Sequence, residues 1–142
     1  MINKEEALKR LVVIEQETKE LKKIIEQPVS IFDRVKNYSD VCRELRINED
    51  HLLNLLYDKK IAAYIKIQYI AKLFNDDWQA DWSNNNQYKY YPWFTKGLAL
   101  WSVFDVGYYY SSSLCSVVYY KDRETAKYCG ETFIDIYKDL LD

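Results

Sequence analysis

Trp78-Gln79-Ala80-Asp81-Trp82-Ser83-Asn84-Asn85-Asn86-Gln87-Tyr88-Lys89-Tyr90-Tyr91-Pro92-Trp93-Phe94 is the stretch on which the reading of the fold turns. Before it the apolar residues recur with helical period. After it they alternate, and β-forming Tyr, Val, Phe and Trp take over. Seven of its seventeen residues are Trp, Tyr or Phe, and they flank an Asn-rich polar turn. A large apolar payload therefore sits beside a cluster of side-chain amides, the composition of a folding nucleus or of a recognition surface.

Downstream, Tyr88 to Phe94, Leu98 to Val106 and Tyr108 to Tyr120 read as three antiparallel strands, parted by Thr95-Lys96-Gly97 and by Gly107. Pro92 cannot donate to a ladder, so the first strand should lie at a sheet edge or break there. Asp122 then caps a helix running to Leu141, with Ala126, Cys129, Phe133, Ile136, Tyr137 and Leu140 on the face that covers the sheet.

Upstream, Asn3 with Glu6 three residues on is the signature of a helix N-cap, and Pro28 is the stop. Between them Ala7, Leu11, Ile14, Thr18, Leu21 and Ile25 follow a 4-3-4-3-4 spacing, the a/d seam of a short coiled coil. Leu8, Val12, Val13 and Ile24 widen that stripe, so two readings stay open: packing on the chain's own domain, or a homodimer through this helix with Leu11, Ile14, Leu21 and Ile25 as the seam. Ser39 and Asn48 can cap two further helices, through Leu45 and about Tyr57. Val41, Leu45, Ile47, Leu52 and Leu55 carry helix-turn-helix spacing, but Arg46 stands where Gly is usual, and Glu49, Asp50 and Asn54 lie on the surface that should meet phosphate. Ordinary helix packing is the better reading. Ile61 to Phe74, with Tyr64, Ile65, Ile70 and Leu73, is a third core helix ending at Asn75-Asp76-Asp77.

The expected fold is thus α+β: N-terminal helices packed with a three-stranded antiparallel meander and a C-terminal helix. Residues 1–27 form an amphipathic or coiled-coil helix, and 28–142 a single domain with helices over 39–76, a sheet over 88–120 and a helix over 122–141.

Composition bounds the function. In 142 residues 49% are hydrophobic, enough for one folded domain, and only 3 are Gly and 2 Pro. No Gly-rich phosphate loop can be built from them. With 20 basic and 22 acidic residues there is no global footprint for nucleic acid. Cys42, Cys115 and Cys129 are odd in number and widely spaced, as suits reduced core thiols in a cytoplasmic protein without a disulfide framework or zinc site. No apolar run approaches a membrane span.

His51, the only histidine, falls in the first turn of an expected helix and reads as solvent-facing, with no nucleophile nearby in sequence. Asp76, Asp77 and Asp81 could hold a cation or form an acid/base pair, but such groups usually solvate a helix end. The residues therefore point away from an enzyme, and no cofactor or metal is expected. The aromatics exceed what a core of this size buries with every polar tip satisfied, and alternation puts Tyr88, Tyr90, Tyr108 and Tyr110 on one face and Lys89, Tyr91 and Tyr109 on the other. One face should be an exposed aromatic platform.

Asp81-Trp82-x-Asn84-x-Asn86-Gln87-x-Lys89-Tyr90-Tyr91-Pro92-Trp93-Phe94, with the later Ala126-x-Tyr128-x-Gly130-x-x-Phe133-x-x-Ile136-Tyr137-Lys138-Asp139, resembles a group of small prophage and mobile-element proteins of Bacteroidetes. The resemblance covers roughly Lys36 to the end and brings no catalytic residues; the heptad helix is not part of it. It implies an accessory or counter-defence factor that acts by binding a host machine.

Two functions emerge as expectations. The first is a non-enzymatic protein that occludes a host protein or nucleoprotein complex, such as a CRISPR effector, with Trp78, Trp82, Tyr88, Tyr90, Tyr91 and Trp93 as anchors and Asn84 to Gln87, including Asn86, as polar contacts. The second is binding of RNA or single-stranded DNA by stacking on the same rings, with Lys89, Lys96, Lys121 and Arg123 tracking phosphates.

Overall fold

A computed structural model describes residues 3–55, 58–96, 101–109 and 118–142, giving only the backbone at 53–55, 101–106, 108 and 109. The chain divides into two compact units, Met1–Ser30 and Ile31–Asp142.

The first unit is α1, Lys4–Ile25. The Asn3 side chain accepts the Glu6 N–H at 2.8 Å, which closes the first turn, while the Glu6 carboxylate pairs with Arg10 rather than completing a capping box. No residue of α1 is buried.

The second unit begins with two short helices, α2 (Ile31–Arg34) and α3 (Tyr38–Leu45), then a 3-10 helix over Glu49–Leu55 and the long α4, Lys59–Asn75. α3 stops because Arg46 turns left-handed, with φ 55°, at the position where Gly is usual. The segment after it is a 3-10 helix, so the pair is no helix-turn-helix with an α-helical recognition element. Asp58 caps α4 by accepting the Ile61 N–H at 3.1 Å. At the other end Asp76 has φ 52° and ψ −122°, and the Trp78 N–H closes onto the Asn75 carbonyl at 2.9 Å. That is a type II′ turn with Asp at the site Gly favours.

The expected three-stranded meander is not seen among the described residues, and the α+β reading built on it is corrected. Among the described residues the unit is mostly helical, with one two-stranded antiparallel sheet of β1 (Lys89–Lys96) and β2 (Trp101–Tyr109). Most of the expected third strand, 110–117, lies outside the described residues, as do 97–100. Of its end only Tyr120 pairs, in a single bridge to Tyr90 with N–O distances of 3.1 and 2.7 Å. Pro92 explains the stop. Residues two apart in a strand present their backbone groups to the same side, so the pair after Tyr90 on that side would need an N–H that Pro92 lacks. Gly107, read as a turn, instead lies within β2 opposite Tyr91, and a Cβ there would come within 2.2 Å of the Tyr91 ring. Only Gly admits the ring over the strand.

α5 (Arg123–Thr132) is capped as expected, with Asp122 accepting the Thr125 N–H at 2.7 Å. The C-terminal helix is broken at Phe133, and α6 (Ile134–Leu141) comes next. The break lets Ala126 and Cys129 on one piece and Tyr137 on the other reach one core with Val35, Ile70, Phe74 and Tyr120. Its interior polar atoms are matched: the Tyr120 and Tyr137 hydroxyls bond each other at 2.9 Å, and the Tyr128 hydroxyl lies 2.6 and 2.7 Å from the carbonyls of Phe32 and Val35, covering the end of α2. Cys42 and Cys129 are buried free thiols, both raised in pKa chiefly by burial. Cys115 lies outside the described residues.

Candidate functional site: an aromatic groove beside a locked turn

α4 presents one stripe of side chains at helical spacing, Tyr64, Gln68, Ala71, Lys72 and Asn75, along an open groove of about 380 Å³. The opposite wall is Trp78 to Ala80 with Trp82, and Val118 and Tyr119 complete the lining. The II′ turn at Asp76 causes this arrangement, because it folds the chain back so that Trp78 comes alongside the helix it has just left.

The segment 118–121 is held in place by Asn75. Its buried amide donates to the Tyr119 carbonyl at 2.8 Å, and its oxygen accepts the Lys121 N–H at 3.0 Å. One side chain thus serves as a stand-in for a neighbouring strand. Beyond the groove floor the rings continue: Trp82 meets Tyr119 edge-on at 5.1 Å, and Tyr119 meets Tyr91 at 6.1 Å.

The Asn-rich turn is fastened by its own polar groups. The Gln87 side chain accepts the Asp81 N–H at 2.6 Å and donates to the Gln79 carbonyl at 3.0 Å, drawing residues 79–87 into a loop. Asn84 accepts the Asn86 N–H at 2.9 Å. Asp81 accepts both the N–H and the hydroxyl of Ser83, which hold its carboxyl below the ordinary range.

Lys89 is the centre of this fastening. It is fully buried, its ammonium donates to the carbonyls of Asn84 and Gln87 at 3.1 and 2.8 Å, and it lies 5.1 Å from the centre of the Trp82 ring. The expectation that Lys89 contacts a partner or tracks phosphate is therefore corrected: its charge is spent inside the turn. Asn84 and Gln87 are likewise engaged by the loop. Asn84 and Asn86 are exposed, and Gln87 is half-buried.

The aromatic residues do not gather on one platform. Tyr88 is 51% and Trp93 55% exposed, yet Tyr88 packs edge-on to Tyr90, whereas Trp93 shares with Tyr91 the other face of β1. Tyr90 packs half-buried against the core. Tyr110 lies outside the described residues, as do the side chains of Tyr108 and Tyr109. The fold does bring together Trp78 and Trp82, with Tyr64 and Tyr119, which sequence reasoning missed as site residues. Tyr64, expected in the core, is 39% exposed; its spacing of four from Gln68 and eight from Lys72 was the available signal.

Other candidates fall away from this site. His51 is half-buried, its Nε2 2.8 Å from the Tyr38 hydroxyl and its ring edge-on to Tyr69 at 5.2 Å, so it is a packing residue and not solvent-facing. Asp76, Asp77 and Asp81 make no cation cage: among the described residues no group of three His, Cys, Asp or Glu is placed to hold a metal ion. Of Lys96, Lys121 and Arg123, Lys96 pairs with Asp142 at 2.9 Å. No helix among the described residues is long and apolar enough to cross a membrane.

No family model matches the chain, and neither a curated protein nor a solved structure is significantly similar to it.

Proposed function

We propose that this is a non-enzymatic binding protein, of phage or mobile-element origin, that docks on a host protein or nucleoprotein complex and acts by occlusion, as a counter-defence inhibitor would. The observation that carries the reading is the groove: Trp78, Trp82, Tyr64 and Tyr119 line a concave site beside a loop fastened by the Gln87, Asp81 and Lys89 side chains. Rigid aromatics in a preformed hollow are the composition of an interface hot spot, since little side-chain entropy remains to be lost on docking. A volume of about 380 Å³ admits one or two side chains of a partner.

Binding of RNA or single-stranded DNA is the weaker reading. Lys89 is buried in its turn and unavailable to phosphate, which removes the cation that the sequence sets among the rings, although Lys72 lines the groove.

Capture from host lysate, with and without nuclease and at low and high salt, tests both. The comparison is wild type against a Trp78→Ala/Tyr64→Ala variant whose fold is confirmed by circular dichroism, then reconstitution with the purified captured partner. A partner that survives nuclease and salt, is lost with the variant and binds when purified supports the proposal. Retention of nucleic acid alone, lost steeply with salt, replaces it with the second reading.

A further inference from the structure

The heptads of α1 carry information beyond their apolar seam. Its 22 residues extend over about 33 Å at 1.5 Å per residue, and Leu11, Ile14, Leu21 and Ile25 are all more than half exposed. With Leu11, Thr18 and Ile25 at a and Ala7, Ile14 and Leu21 at d, the flanking g positions hold Arg10, Glu17 and Ile24, and the e positions hold Leu8, Glu15 and Lys22.

In a parallel, in-register two-stranded coil, each g residue faces the e residue of the next heptad on the partner helix. Arg10 then meets Glu15, and Glu17 meets Lys22. Both pairs are opposite in sign, and symmetry makes each twice. The antiparallel alignment of the same seam, with Leu11 on Leu21 and Ile14 on Thr18, instead sets Glu17 against Glu17 and Glu15 against Glu15. We infer that α1 is a parallel, in-register dimerisation helix whose partner is a second copy of this chain.

Two local details suit that arrangement. The Thr18 hydroxyl, in the central layer, already donates to the Ile14 carbonyl at 2.7 Å, so closing the layer leaves no unsatisfied group. The Arg10–Glu6 ion pair within the helix is well exposed, and Arg10 can exchange it for a partner's Glu15 at little cost.

Sedimentation equilibrium of the full chain over the micromolar range is the test. A monomer–dimer equilibrium is expected. Glu17→Lys should raise its dissociation constant roughly tenfold, because two symmetry-related contacts turn from attraction to repulsion. Restoring the pair with Glu17→Lys/Lys22→Glu should bring the constant back, and an equimolar mixture of Glu17→Lys and Lys22→Glu chains should form heterodimer. Unchanged circular dichroism keeps these surface variants interpretable. A chain that stays monomeric throughout, or a dimer indifferent to Glu17→Lys, overturns the inference. So does a dimer tightened by Glu17→Gln, since only the antiparallel form gains from removing that charge.

Discussion

Asn75→Ala removes a single amide that holds the 118–121 segment to the end of α4, and its cost can be worked from the two bonds it breaks. Tyr119, whose carbonyl takes the 2.8 Å bond, is only 7% exposed, so that oxygen is left without water. The Lys121 N–H, donor of the 3.0 Å bond, belongs to an exposed residue and regains some solvation. A buried polar group left unpaired costs about 1–3 kcal/mol; one full and one partial penalty give about 2–4 kcal/mol. For a unit of this size that lowers Tm by roughly 8–16 °C. Thermal and urea unfolding monitored by circular dichroism measure it, with the urea slope expected to stay constant. Asn75→Asp adds a check of sign. It keeps the acceptor for Lys121 but sets a carboxylate against the Tyr119 carbonyl, so burial and that oxygen raise its pKa in the folded state. The protonated form can donate where the amide did, so stability should return as pH falls below the ordinary carboxyl range and be lost as pH rises through the raised value. A loss below about 0.5 kcal/mol for Asn75→Ala, within the range of an ordinary surface change, would refute the assignment of Asn75 as the tie between helix and segment.

Asp76→Gly should stabilise the protein by about 1 kcal/mol, relief of a non-Gly residue at positive φ outweighing the added freedom of the unfolded chain; a lowered Tm would contradict the turn assignment. Lys89→Met keeps the packed stem but abandons the Asn84 and Gln87 carbonyls and the Trp82 face. About 1–3 kcal/mol should be lost, with Trp fluorescence altered, whereas a phosphate-tracking lysine would change stability little and binding much. At alkaline pH the sign is set by Tyr38, Tyr120, Tyr137 and Cys129, whose pKa values burial pushes above their usual ones. The unfolded chain then releases protons that the native one retains, so stability should be complete below pH of about 8.5 and fall steadily as pH rises past about 10. Tyrosinate absorbance should show a class of tyrosines that ionises only together with unfolding, and a single smooth titration of all of them would count against it.

Legibility depended on the range of the interactions. Caps are local, and Asn3, Asp122 and the Pro28 stop were readable from neighbours three residues away. Asn48 was readable only in part: its side chain does accept the Asp50 N–H at 2.9 Å, but residues Glu49–Leu55 tighten into a 3-10 helix. Strict alternation places Lys89 on a surface, and that rule knows nothing of two carbonyls and an indole supplied by residues just upstream. The break at Phe133 serves a core assembled from distant segments, so helical periodicity ran straight through it. Asn75 looked like a helix terminator because its partners at 119 and 121 lie more than forty residues further on. The groove was invisible because a turn with Asp76 at positive φ, which no Gly signals, folds Trp78 back beside α4, and because Val118 and Tyr119 join the lining from more than forty residues further on.

Pro92 has a further consequence, for behaviour at high concentration. An unpaired strand edge invites a strand from another molecule, and sheets protect themselves with charge, bulges or proline. On the side of β1 that faces Tyr120, Pro92 withholds the next donor, and the irregular register between Trp93 and Phe94 twists the end of the strand. Replacing Pro92 with a β-former would complete the row of donors along an aromatic-rich strand. The residue that withholds a donor beside the Tyr90–Tyr120 bridge thus makes that point of the strand a poor template for a strand from another molecule.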